Sequence, residues 1–117
     1  MTFKTTHSFN DRVKESKRIM EKYPDKIPVI CERNFSSTLP TIDKHKFLVP
    51  TDLTIGQFIY VIRKRIKITA QEAIYLFIKG HMPPGNETMD ITYNKFRDQD
   101  GFLYISYTNE NTFGGPR

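Results

Sequence analysis

The chain has 117 residues, enough for one domain, and is 38% hydrophobic and 13% aromatic, which excludes a disordered chain. Its net charge of +5 suits an anionic partner (nucleic acid, membrane or acidic protein surface) without selecting one. One cysteine excludes an internal disulfide, the N-terminus has no apolar signal core, and no apolar run approaches the roughly 20 residues of a membrane span, so a soluble protein of the reducing cytosol or nucleus is expected.

Residues 8–23, SFNDRVKESKRIMEKY, predict a helix. Ser8 with Asp11 resembles a capping box, and Pro24 ends the segment. Phe9, Val13, Ser16, Met20 and Tyr23 are spaced by four, three, four and three, which marks them as the inward stripe. The charge run Arg12, Lys14, Lys17, Arg18 and Lys22 then reads as a solvated face. Lys26–Arg33, KIPVICER, is short, apolar and β-branched, hence a strand. His45–Pro50, HKFLVP, predicts a second strand, joined to the first by a polar, turn-rich linker. Pro28 and Pro50 both disfavour a central position, so one of these strands is expected at a sheet edge.

The stretch TIGQFIYVIRKRI is the clearest helix. Thr54 and Gln57 make a capping box, and Ile55, Phe58, Ile59, Ile62 and Ile66 form its core stripe. Ala73–Gly80 is continuously apolar, as in a strand buried on both faces. TMDITYNKF predicts a short helix with Met89, Tyr93 and Phe96 on one side, and DQDG a turn in which Asp98 and Asp100 are turn formers. In Phe102–Tyr107 the last strand alternates Leu103, Ile105 and Tyr107 against Phe102, Tyr104 and Ser106. Helix, strand, strand, helix, strand, short helix, strand is the order of an α+β ubiquitin-like β-grasp. Its mixed four-stranded sheet would hold the first and last strands parallel at the centre, as right-handed crossovers permit.

Nothing in the sequence predicts an enzyme. His7, His45 and His81 are scattered without metal-ligand spacing. Cys31 lies inside an apolar strand, where a buried structural thiol is expected rather than an electropositive, accessible nucleophile. No nucleophile elbow, phosphate loop or paired carboxylates are present. No catalytic residue, metal or cofactor is therefore expected. A basic RNA-binding module built on Arg63, Lys64 and Arg65 is disfavoured because no stacking motif or glycine clamp accompanies them, so no nucleic-acid partner is expected.

Five stretches, IPVICE, IDKHKFLVPTDLTIGQFIYVIRKRI, MPP, DGFLYISY and ENTFG, occur in order across nearly the whole chain. Together they resemble the autophagy ubiquitin-like modifiers, the family that includes GABARAP and the microtubule-associated light chain proteins. The resemblance implies a ubiquitin-like core preceded by two N-terminal helices within about residues 1–24, the first near Phe3–His7. It implies a precursor trimmed by a cysteine protease, then passed by activating and conjugating enzymes to phosphatidylethanolamine. It further implies a cytoplasmic protein that moves to the autophagosomal membrane when lipidated and recruits cargo receptors there. Those receptors carry a short aromatic-x-x-aliphatic motif and bind by β-augmentation. A non-conjugated interaction adaptor is the alternative.

Residue by residue, the resemblance carries over an aromatic pocket of Glu15, Ile19, Pro28, Ile30, Lys46, Leu48 and Phe102. It carries over an aliphatic pocket of Phe47, Val49, Pro50, Leu53, Phe58, Val61 and Ile62, with Arg65 as a flanking cation. Phe58 and Ile62 also sit on the core stripe, whereas Ile19 is offset from the stripe of its own helix, which favours a groove role. The tail ENTFGGPR departs from the family pattern by having two glycines after its aromatic residue. Gly114 directly follows Phe113, as the pattern requires. Cleavage after Gly115 would break a bond to a proline nitrogen, a tertiary amide without an N–H. Gly114 is therefore the expected conjugation site and Gly114–Gly115 the scissile bond, giving a domain over 1–114 and a propeptide over 115–117. Gly85 stands where the family often has threonine, which is expected to loosen that corner.

Overall fold

The computed structural model describes residues 1–110. Its helices are α1 (Phe3–Thr6), α2 (Phe9–Lys22), α3 (Ile55–Ile66) and α4 (Met89–Phe96). Its strands are β1 (Lys26–Arg33), β2 (Lys46–Pro50), β3 (Tyr75–Phe77) and β4 (Leu103–Thr108). The strands form one mixed sheet in the order β2-β1-β4-β3, with β1 and β4 parallel at the centre and both outer pairs antiparallel. This is the expected β-grasp with two helices ahead of it.

Pro28 lies in central β1, yet the pairing with β4 starts only at Val29. At Pro28 the strand has a neighbour on the β2 side alone, so the missing N–H removes no parallel ladder bond. Of the two strands that carry a proline, β2 is the one at the edge. It starts at Lys46, one residue later than expected. Strand β3 is only three residues long and lies at the other edge. Beyond it Lys79 and Gly80 take positive φ (50° and 80°), and Ile78 and His81 close a turn through an isolated bridge, which ends the strand before the apolar run does.

Alternation along each strand divides the interior in two. On one face Val29, Cys31, Phe47, Val49, Leu103, Ile105 and Tyr107 meet Ile55, Phe58, Ile62 and Ile66 of α3 and Met89 of α4. The Thr54–Gln57 capping box is complete, which fixes where α3 begins. The corner at Gly85 is tied to it, because the Gly56 N–H donates to the Gly85 carbonyl at 2.9 Å. On the other face Ile30 and Phe102 are covered by Phe3 of α1 and Ile19 of α2, with Tyr104 against them.

Helix α2 corrects the sequence reading. Ser8 does accept from the Asp11 N–H at 3.1 Å. The buried residues, however, are Arg12, Ser16 and Ile19, while Phe9 is 47% exposed and Tyr23 is also exposed. The helix is rolled about one residue from the apolar stripe. Arg12 was expected in a solvated charge run, but it is 9% exposed because it finds a buried acid. Its Nε donates to Asp100 Oδ2 at 2.7 Å, and its Nη1 to the carbonyl of His7 at 2.7 Å. Asp100 is a turn former, accepting from the Phe102 N–H at 2.9 Å, and at 1% exposure it is equally the acid that seats α2.

Candidate functional site

Among the described residues, one side of the β2 backbone has no strand partner in the sheet, which is what an incoming extended peptide needs. Along it burial alternates: Phe47 and Val49 point into the core, while Leu48 and Pro50 are exposed and Lys46 is half-buried. The side chains that the two faces present differ in character.

On the α2 side, Lys46 pairs in register with Ile30, and Leu48 with Pro28. Ile30 and Phe102 are fully buried beneath Ile19, and Phe3 packs edge-on to Phe102 with ring centroids 5.3 Å apart. Glu15 reaches from α2 to form an ion pair with Lys46, whose Nζ also stands 5.9 Å from the centre of the Phe3 ring. Of the expected residues on this side, Glu15, Lys46 and Leu48 reach the surface between α2 and β2, while Ile19, Pro28, Ile30 and Phe102 are buried beneath them. Leu48 at 37% is the most exposed apolar residue among them, and Ile19 belongs to the small core below. Phe3, under the same surface, was not singled out in the sequence, because a four-residue helix leaves no period to read.

On the α3 side the expected residues separate by depth. Phe47, Val49, Phe58 and Ile62 are buried members of the main core, with Leu53 partly buried against it. Pro50 and Val61 are exposed, Val61 to 38%. A groove of about 310 Å³ is lined by Tyr60, Val61, Lys64 and Arg65. Arg65 is exposed and reaches Asp43 at 3.3 Å. Cations thus stand on both sides of the open edge, Lys46 toward α2 and Lys64 and Arg65 toward α3, and would attract a peptide with acidic flanks.

Behind the α2-side surface, Asp100 gathers the polar bonds that hold the N-terminal helices. Besides Arg12 it accepts from Tyr104 Oη at 2.5 Å, and its carbonyl accepts from Ser16 Oγ at 2.5 Å. Nearby, Lys4 Nζ meets Asp98 Oδ1 at 2.7 Å, and the Phe3 N–H donates to Glu32 Oε2 at 2.7 Å. The hydrogen bond to Asp100 raises the Arg12 pKa, and burial followed by the bond to Asp100 raises that of Tyr104. Burial is the largest single influence on Asp98 and opposes its ionisation, but the hydrogen bonds from Lys4 and the Asp100 N–H and the charge of Lys4 together outweigh it, so its pKa is lowered. Cys31 is fully buried, and burial pushes its thiol pKa up, away from thiolate chemistry. Among the described residues no cluster of three metal-ligating side chains exists, and no helix is long and apolar enough to cross a membrane. Phe113, Gly114 and Gly115 lie outside the described residues.

The model of the family described as autophagy protein Atg8, ubiquitin-like, matches residues 11–114. Autophagy-related protein 8c of Arabidopsis thaliana is 55% identical over 113 residues, covering 97% of this chain and 95% of the relative. Autophagy-related protein 8 of Mycosarcoma maydis is 54% identical over 112 residues, covering 96% and 95%. Among solved structures, that of Trypanosoma brucei ATG8 superposes with a TM-score of 0.89 at 39% identity, covering 97% of this chain and 98% of the other.

Proposed function

The chain belongs to the Atg8 family of ubiquitin-like autophagy proteins, and from that premise we propose that it is a modifier conjugated through Gly114 to phosphatidylethanolamine. The observation that carries this reading is the extent of the family match, which ends at residue 114. Residues 1–114 form the mature domain, with the helical extension over about 1–24, and residues 115–117 are removed by a cysteine protease. Activating and conjugating enzymes supply the thioester cysteines. The only cysteine here is buried in β1, consistent with a protein that contributes a carboxylate and no nucleophile. Glycine suits that role because, lacking Cβ, it threads a narrow active site and presents an unhindered carbonyl. The two acyl chains acquired would anchor a chain that has no spanning helix among its described residues. Cytoplasmic before conjugation, the protein would then sit on the autophagosomal membrane.

There it recruits cargo receptors whose aromatic-x-x-aliphatic motif adds a strand to β2. The open edge, the exposed Leu48 and the cations on both sides of it support this. Two measurements test the reading. With the family's enzymes, ATP and vesicles containing phosphatidylethanolamine, Gly114→Ala abolishes trimming and lipidation while Gly115→Ala largely spares both. A mature chain whose mass ends at Gly115 would overturn the assignment. By calorimetry, Lys46→Ala with Leu48→Ala weakens a Trp-x-x-Leu peptide by about 2 kcal/mol, roughly thirtyfold, in a folded domain. An unchanged affinity removes the docking site. A chain that binds the peptide but is never trimmed or lipidated is the non-conjugated adaptor instead.

A further inference from the structure

Phe35 is 93% exposed, far more than any other aromatic residue described. It stands in the β1–β2 connection on a turn held by hydrogen bonds. The Asn34 N–H donates to the Tyr107 carbonyl (2.8 Å), the Ser36 N–H donates to Asn34 Oδ1 (2.9 Å), and Ser37 behind it is buried. The ring is thus presented by an ordered turn. Its position relative to the chain's exit matters most. As the chain leaves β4, Asn109 is fastened to this same turn: its Nδ2 donates to Thr38 Oγ1 (2.6 Å), and the Thr38 N–H donates to its Oδ1 (3.3 Å). From Glu110 to Gly114 there are four residues, a reach of at most about 14 Å.

We infer that Phe35 is a membrane-contact residue, seated in the interfacial layer of the bilayer to which Gly114 is tethered. This rests on the conjugation proposed above. A lipid on Gly114 places the bilayer within the reach of those four residues, at the end of the sheet where Arg33 pairs with Tyr107 and where Phe35 protrudes. One aromatic ring is too little to hold an untethered protein at a bilayer, but the tether turns its insertion into an intramolecular event at high effective concentration. The surroundings suit head groups. A cavity of about 420 Å³ beside the ring is lined by Arg33, Thr41, Ile42 and His45, which places one guanidinium, itself donating to the Leu39 carbonyl, and further polar groups within reach of lipid head groups. Glu32, the acid in that lining, already accepts from the Phe3 N–H. Seated this way, the domain would turn the opposite end of the sheet, where Lys26 pairs with Pro50, away from the bilayer.

The sequence contains no tryptophan, so Phe35→Trp introduces a single reporter. The chain ending at position 114 with Gly114→Cys is coupled to vesicles of phosphatidylcholine and phosphatidylethanolamine carrying a maleimide head-group lipid. The thiol adds across the maleimide double bond, and Cys31 is spared by its burial. On coupling, the Phe35→Trp emission should move to shorter wavelength and be quenched severalfold by brominated lipid. Uncoupled protein mixed with the same vesicles should show neither change. Ile91→Trp, at an exposed position of α4 toward the other end of the sheet, should stay unquenched in the coupled chain. An unquenched residue 35 in the coupled protein, or equal quenching at 35 and 91, overturns the inference. Because the coupling is chemical, this outcome is separate from a failure of the conjugating enzymes at Gly114, which would overturn the proposed function instead.

Discussion

On one face of the sheet, α3 and α4 press Ile55, Phe58, Ile62, Ile66 and Met89 onto the strands, and almost everything that meets there is apolar. On the other face, α1 and α2 bring mainly Phe3 and Ile19 to Ile30 and Phe102, and fasten themselves with polar bonds centred on Asp100. Burial of apolar area contributes about 25 cal/mol per Å², whereas a hydrogen bond that merely replaces one to water contributes about 1 kcal/mol. The first face therefore carries most of the stability and holds the fold. The second is expected to open before the first, and Glu15, Ile19 and Lys46 belong to it. If peptides dock as proposed, their binding would be affected by anything that loosens that layer, even when the domain stays folded.

The largest expected effect is in the main core. Phe58→Ala should destabilise the domain by about 3–5 kcal/mol, because the site is fully buried and closely packed, and chemical denaturation should show both layers lost in one transition. A cost below about 1 kcal/mol would contradict the weighting of the two faces. Next is Asp100→Ala, which strips Arg12, Tyr104 and the Phe102 N–H of a buried acceptor at a cost of about 3 kcal/mol. Hydrogen exchange should accelerate in α1 and α2 while β1 and β4 stay protected. Uniform acceleration would mean that the layers do not separate.

Gly101→Ala tests the same seam by shape. Gly101 has φ +93°, and a Cβ there would stand 2.4 Å from Ser16 Oγ on α2. A cost of about 2 kcal/mol is expected, again read as faster exchange in α2, and a neutral effect would show that α2 shifts freely. The smallest effects are those of pH, and they tell the faces apart. Against its burial, the bonds from Lys4 and the Asp100 N–H together hold the Asp98 pKa down, so its contribution is complete above its ordinary value near 3.8 and is lost as pH falls below it, loosening α1 first. Tyr107, in the main core, is pushed by burial from 10 up to about 12. The folded state keeps its proton where the unfolded state gives it up. Its contribution is therefore complete below pH 10 and lost as pH rises toward about 12, with loss of the whole fold. Tyrosine absorbance followed alongside exchange measures both; acid that unfolds the two layers together would erase the distinction.

What was legible in the sequence follows the same division. The α3 stripe, the strand limits Lys26–Arg33 and the alternation in β4 were readable because apolar faces repeat at 3.6 or 2 residues and one face of each element meets one core, and the parallel central pair followed from the order of the elements. The resemblance supplied the family, the first N-terminal helix and the candidate site residues, but it could not say which of them lie on the surface and which in the core. The face of α2 was misread, since a buried arginine is invisible to a period count. Arg12 turns inward only because Asp100, distant in sequence, lies across from it, and no local pattern reveals that partner. The order of the elements and the composition of the main core are set by local pattern. The roll of α2, the convergence of Glu15 on Lys46, and the meeting of Phe35 with the chain's exit at Asn109 were decided by tertiary structure alone, because each depends on which distant polar group is close enough to bond.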